Sequence, residues 1–117
     1  MNKQLIQLFT AAVLLFLGDL PWLMVSAPYV GQMVQRIQGS PLRLSYLPAS
    51  IVYLAMAYLL LQTKTPLDAF YMGAATYAVY DFTNLATLKN YDVSFALLDT
   101  LWGGALFAIA RFVLNRF

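Results

Sequence analysis

All five acidic residues of the chain are aspartates, and three of them, Asp19, Asp81 and Asp99, stand inside long apolar runs. A carboxylate in such surroundings has several uses. It can exchange a proton, hold a cation or polar solute, share a proton with a second carboxyl, or accept hydrogen bonds that tie helices together. If each run is a membrane-crossing helix, Asp19 and Asp81 fall about four residues past their helix midpoints and Asp99 about five before its own. At 1.5 Å per residue, each is then roughly 6–8 Å from the midplane. Neighbouring helices alternate in direction, so all three displacements point toward one membrane face. An ionised Asp near a bilayer centre costs about 2.5–3.5 kcal/mol. The three should therefore face inward, and their burial side by side predicts that at least one is neutral at pH 7.

The stretch "AVYDFTNLATLKNYD" (Ala78–Asp92) shows how such a layer could be lined. On a 3.6-residue helix, Gly73, Tyr77, Tyr80, Asp81 and Asn84 fall within about 100° of arc. Thr83 and Thr87 flank that stripe and can return hydrogen bonds to their own backbone. Asp99, Trp102 and Gly103 share a face of the next helix. Pro21 frees the Leu17 carbonyl close to Asp19, and carbonyl, kink and acid could border one cavity. Trp22 is a candidate donor to Asp99, and Tyr80 or Tyr77 to Asp81. Lys89, the one base close to this stripe, either snorkels outward or pairs with Asp92. Any single residue of the set is equally well explained as interhelical glue, worth about 0.6 kcal/mol per hydrogen bond. Three acids at one depth weigh toward a working site.

The elements that must position these residues are four apolar runs, at about Leu5–Ala27, Pro41–Leu61, Leu67–Leu88 and Val93–Leu114. Each reaches the roughly 20 residues that cross a ~30 Å hydrocarbon core. With 117 residues, 62% of them apolar and 10% charged, the chain reads as one transmembrane domain over residues 1–117. The predicted fold is all-α, an antiparallel bundle of four transmembrane helices. Small-residue pairs such as Ala69/Gly73, Ala74/Ala78 and Gly104/Ala108 suit close helix packing. Val25-Ser26-Ala27 imitates a signal-peptide cleavage site, but the apolar run is long and Pro28 would follow the cut, so a retained helix is expected. Gly31, Gly39 and the prolines interrupt the segment Ala27–Pro41, within which Val30–Ile37 could lie as an interfacial turn of helix.

Charge gives the expected orientation. Lys3, Lys64, Arg111 and Arg116 gather on the side of the termini, against Arg36, Arg43 and Lys89 opposite, a four-to-three balance that favours cytoplasmic termini. Trp22, Tyr29, Tyr46 and Tyr91 populate the other boundary as an aromatic belt. A net charge of +2 from scattered bases excludes a nucleic-acid surface. With no cysteine and no histidine there is neither thiolate chemistry nor the commonest general base and metal ligand. Asp19-Leu-Pro-Trp22 on the first helix is echoed by Asp99-Thr-Leu-Trp102 on the fourth, without the opposed depths of an inverted repeat.

The run Tyr80-Asp81-Phe-Thr83-Asn84-Leu-Ala86-Thr87-Leu88, followed by Asp99-Thr-Leu-Trp102-Gly103 and preceded by Asp19-x-x-Trp22, resembles a family of small four-helix membrane proteins known as domain of unknown function 2177. The resemblance spans nearly the whole chain. It implies the four-helix topology, singles out Asp19, Asp81, Thr83, Asn84, Asp99 and Trp102, and carries no established activity. Similar proteins occur in bacteria and in large DNA viruses, so a viral internal membrane is one setting it implies.

The residues themselves read best as handling a proton, a cation or a small solute in a transporter- or channel-like protein. Asp81 and Asn84 would form the centre and Asp19 and Asp99 its partners. Four helices are few for a complete pathway, so that reading implies a homodimer. The alternative is a structural or assembly subunit of a larger membrane complex or of a viral internal membrane. An intramembrane enzyme fits least. Ala96-Leu-Leu-Asp99 stands where an intramembrane aspartyl protease would carry Gly-x-Gly-Asp, so no catalytic residue is assigned. No cofactor or metal site is expected, and the implied partners are the lipid bilayer and a second copy or larger assembly.

Overall fold

The structure is a computed structural model that describes residues 2–117. Its elements are four helices in sequence: α1 (Lys3–Gln38), α2 (Tyr46–Leu61), α3 (Pro66–Thr87) and α4 (Val93–Leu114). The described residues are all-α. Asn2 opens α1 by accepting the Leu5 amide at 2.8 Å, and Gly39 closes it in the left-handed conformation at φ 74°, where a side chain would strain. Thr65 caps α3 through the Asp68 amide at 3.1 Å, with Pro66 at the first position, where its missing N–H costs nothing. Asp92 precedes α4 without capping it, because its carboxylate is engaged by Arg36 at 3.0 Å and by the Tyr29 hydroxyl.

α1 departs most from expectation. Instead of ending near Ala27 and giving way to a separate interfacial turn, it runs unbroken through Pro21, Pro28 and Gly31 to Gln38. Each proline removes one backbone hydrogen bond, a loss that tertiary contacts can override. Here Met33, 2% exposed, packs with Tyr91, Phe95 and Ala96, and Val30 and Ile37 close around them. At 1.5 Å per residue, the 36 residues of α1 have a contour of about 54 Å, which exceeds a ~30 Å hydrocarbon layer. It is also longer than the 45 Å longest axis of the bundle, so the helix bends or runs obliquely to it.

α2 begins at Tyr46 rather than Pro41, after a non-helical stretch over 41–45, and its 16 residues make about 24 Å. By length and apolarity, α1 and α4 qualify to cross a membrane, with peak mean hydropathies of 2.0 and 1.7. α3 is as long as α4 but carries Asp68, Asp81, Asn84 and three threonines. The bundle is 45 Å along its longest axis, close to the ~40–45 Å of a whole bilayer. Apolar side chains cover its outside, with Met24, Val25, Leu47 and Val79 each more than 70% exposed. An exterior of that kind suits lipid rather than water.

Successive helices run antiparallel around a core of Ala11, Leu15, Ala57, Leu60, Ala69, Leu106 and Phe107. α3 and α4 approach most closely, through glycine. A Cβ at Gly73 would stand 2.2 Å from the Gly103 carbonyl oxygen and 2.6 Å from the Phe107 side chain. Gly103 in turn lies beneath the Tyr77 ring and Gly104 beneath Phe70. The predicted small-residue packing is thus realised at Gly73 and Gly104, with Gly103 as the added contact. Gly73→Ala is expected to destabilise the bundle by about 1–2 kcal/mol, since backbone stands in the way. Gly31→Ala meets nothing within 4 Å and should be neutral or gain up to about 1 kcal/mol from helix propensity. Reversible unfolding in bicelles checks the pair, and equal effects would contradict it.

Candidate functional site: a buried carboxylate layer

Asp19, Asp81 and Asp99 are 5%, 0% and 7% exposed, and they come together at one level of the bundle. Two of them are joined by a reciprocal exchange between α1 and α4. The Trp22 indole of α1 donates to Asp99 Oδ1 of α4 at 2.8 Å, and the Trp102 indole of α4 donates to Asp19 Oδ1 of α1 at 2.7 Å. The two indoles stack with centroids 5.7 Å apart and planes 16° from parallel. The Asp-x-x-Trp echo explains this arrangement. Positions i and i+3 share a helix face, so two antiparallel helices carrying the same motif can each offer an acceptor where the other offers a donor.

The other oxygens find partners on other elements. Tyr53 of α2 donates to Asp19 Oδ2 at 2.6 Å. Tyr91, in the α3–α4 connection, donates to Asp81 Oδ1 at 2.7 Å. Burial first, and then the bond to Asp81, push the Tyr91 phenol above its ordinary range, so it remains a donor at neutral pH. Asp81 Oδ2 is buried with no donor. The Asp99 carboxyl is the neighbouring acid on α4. Two carboxyls can approach one another favourably when they share a proton.

The remaining predicted residues divide into those drawn into the layer and those left outside it. Asn84 is partly buried within reach of the Tyr80 and Tyr91 hydroxyls. Tyr77 packs over Gly103. Tyr80 is 62% exposed, so the donor to Asp81 is Tyr91 rather than Tyr80 or Tyr77. Thr83 and Thr87 face outward, and the Thr87 hydroxyl bonds back to the Thr83 carbonyl at 2.8 Å. Lys89 is exposed, and the cation on Asp92 is Arg36. Pro21 and Leu17 also lie on the exposed side of α1, while Asp19 is buried. Among the described residues, no group of three His, Cys, Asp or Glu is arranged to hold a metal ion.

Tyr53 and Tyr91 escaped the reading of the sequence. Tyr53 sits on a helix without a polar stripe, and Tyr91 reads equally well as a member of the interfacial belt. The available signal was reach: a phenol can span the gap between helices that a carboxyl cannot.

A helical bundle with an apolar exterior, two helices long and apolar enough to cross a bilayer and its buried carboxyls turned inward fits the class of helical membrane proteins. The chain belongs to the family described as predicted membrane protein, domain of unknown function 2177, whose model matches residues 4–113. No curated protein and no solved structure matches it.

Proposed function

We propose that all four helices cross the bilayer, with the termini on the cytoplasmic side, and that the protein serves as a structural or assembly element of its membrane. The observation that carries this reading is the reciprocal exchange of indole hydrogen bonds between Trp22 and Asp99 and between Trp102 and Asp19. With Tyr53 and Tyr91 added, four of the six oxygens of the three carboxyls accept from an aromatic donor. A solute would have to displace those donors. In the half of the bundle beyond Asp19, the space is filled by Leu15, Leu60, Leu106 and Phe107. Such an arrangement serves to hold helices in register rather than to pass ions.

A second reading, proton or cation handling, is favoured by the donorless Asp81 Oδ2 beside Asp99. Proteoliposomes loaded with a pH-sensitive dye separate the two. The structural reading expects wild-type protein to leak protons no faster than protein-free vesicles, and to leave its native membrane in fixed stoichiometry with other membrane proteins. Sustained flux that Asp81→Asn abolishes would overturn it in favour of the second.

A further inference from the structure

At the end of the bundle opposite the direction in which Tyr91 approaches the aspartates, the start of α1, the α2–α3 connection and the end of α4 border an open-sided cavity of about 740 Å³. Lys3, Lys64 and Arg111 line it, and no Asp or Glu side chain does. The ion pair of the described residues, Arg36 with Asp92, lies at the other end, and none of these three cations has an acidic partner among them. Asp68 is the nearby acid, lining the adjoining cleft with Lys64 rather than this cavity. The three bases that do line the cavity repel each other, and an anion placed between them relieves that repulsion.

The cavity is also held in shape. Arg111 donates from Nη1 to the Thr63 carbonyl at 2.7 Å and to the Leu60 carbonyl at 3.3 Å, and from Nε to the Asn115 side chain at 3.1 Å. Asn115 donates to the Lys64 carbonyl at 3.0 Å. These bonds tie the end of α2 and its connection to α4, and they use Nη1 and Nε while leaving Nη2 without a protein acceptor. A further attraction comes from α1, whose positive dipole end lies at this level with no acidic residue in its first turn to offset it. Ile6, Leu61 and Leu114 form the apolar part of the cavity walls, beside Gln7 and Thr10 of α1. A phosphate alone would use the bases and leave those walls bare, whereas a phospholipid would use both.

We propose that this cavity binds the phosphate of an anionic phospholipid, with Lys3, Lys64 and Arg111 around the head group and the acyl chains descending along Ile6, Leu61 and Leu114. Basic pockets between membrane helices bind anionic head groups in this way. The site lies on the side where four of the seven bases gather, the side that the positive charge assigns to the anionic cytoplasmic leaflet. The proposal rests on the membrane setting of the family and is independent of the role proposed for the carboxylate layer.

The test uses delipidated full-length protein in a neutral detergent, titrated with phosphatidylglycerol, phosphatidylcholine or inorganic phosphate, with bound lipid counted by native mass spectrometry. Arg111 also secures α2, so the probing variant is Lys3→Gln/Lys64→Gln, whose side chains make no protein hydrogen bond among those described. Its opposite-end control is Arg43→Gln/Lys89→Gln, and circular dichroism confirms the fold of each. At about 1 kcal/mol per base near a charged surface, the probing variant should bind phosphatidylglycerol roughly 30-fold more weakly, while the control should bind as wild type does. Wild-type protein should prefer phosphatidylglycerol to phosphatidylcholine. Equal loss in both variants, no loss in the probing variant, or no preference between the lipids would overturn the proposal. Full competition by inorganic phosphate at the lipid's own concentration would overturn the lipid assignment in favour of a free anion.

Discussion

Replacing both indoles, as Trp22→Phe/Trp102→Phe, should lower the stability of the bundle by about 2–6 kcal/mol, because each substitution strips a donor from a carboxyl oxygen that water does not reach. Leaving one buried acceptor unsatisfied costs about 1–3 kcal/mol. Phenylalanine keeps much of the stacked aromatic surface, so most of the loss reports on the hydrogen bonds. Interhelical hydrogen bonds in membranes average only about 0.6 kcal/mol, because an unfolded helix in lipid also finds partners. Asp19 and Asp99 should exceed that average, since they are 5% and 7% exposed and each indole is the donor to one of their oxygens. The rings also touch each other, so the two substitutions should couple rather than add. Unfolding of the two single variants and the double variant in bicelles measures both quantities. A total loss below about 1 kcal/mol would mean that the exchange is incidental to the fold.

Asp81 should tolerate one of its two simplest replacements and not the other. Asp81→Asn keeps a carbonyl oxygen for the Tyr91 hydroxyl and places an NH₂ donor where Oδ2 now has none, facing the Asp99 carboxyl. It therefore imitates a carboxyl that already holds a proton, and its stability should stay within about 0.5 kcal/mol of wild type. Asp81→Leu removes both partners and orphans the Tyr91 hydroxyl, so a loss of about 1–3 kcal/mol is expected. Infrared spectroscopy supplies the independent reading. Wild-type protein should show the carbonyl stretch of a neutral carboxylic acid at pH 7, and that band should vanish in Asp81→Asn. Three ionised carboxyls with no such band, or an Asp81→Asn variant as unstable as Asp81→Leu, would remove the shared proton.

That infrared result also bears on the choice between scaffold and proton handling. A neutral-acid band lost in Asp81→Asn would mean that a proton completes the lattice chemically, and a completed lattice needs no solute. If dye-loaded vesicles also show no flux, the neutral carboxyl is a fastening. If flux appears and Asp81→Asn stops it, the same pair becomes the exchange point, reached from the Tyr91 side.

How much was legible in advance depended on which coordinate of a helix was in question. The number of helices, the bounds of α3 and α4, and the gathering of Asp19, Asp81 and Asp99 follow from apolar run length and from counting residues at 1.5 Å each. Position along a helix axis is a property of the chain alone. What sequence could not supply was rotation about the axis and the continuation of an element past a break signal. Tyr80 and Asp81 are adjacent, yet one is 62% exposed and the other 0%; the α3–α4 contact at Gly73 and Gly103 decides which way that face turns. α1 persists beyond Pro28 because Met33 finds Tyr91 and Phe95, residues some sixty positions away that no local propensity can register. The donors to the aspartates likewise come from other elements, Tyr53 from α2, Tyr91 from a connection, and each tryptophan from the opposite helix. Run length and spacing thus pointed to the three acids as one group, while only packing between helices decided how far α1 runs and what each acid touches.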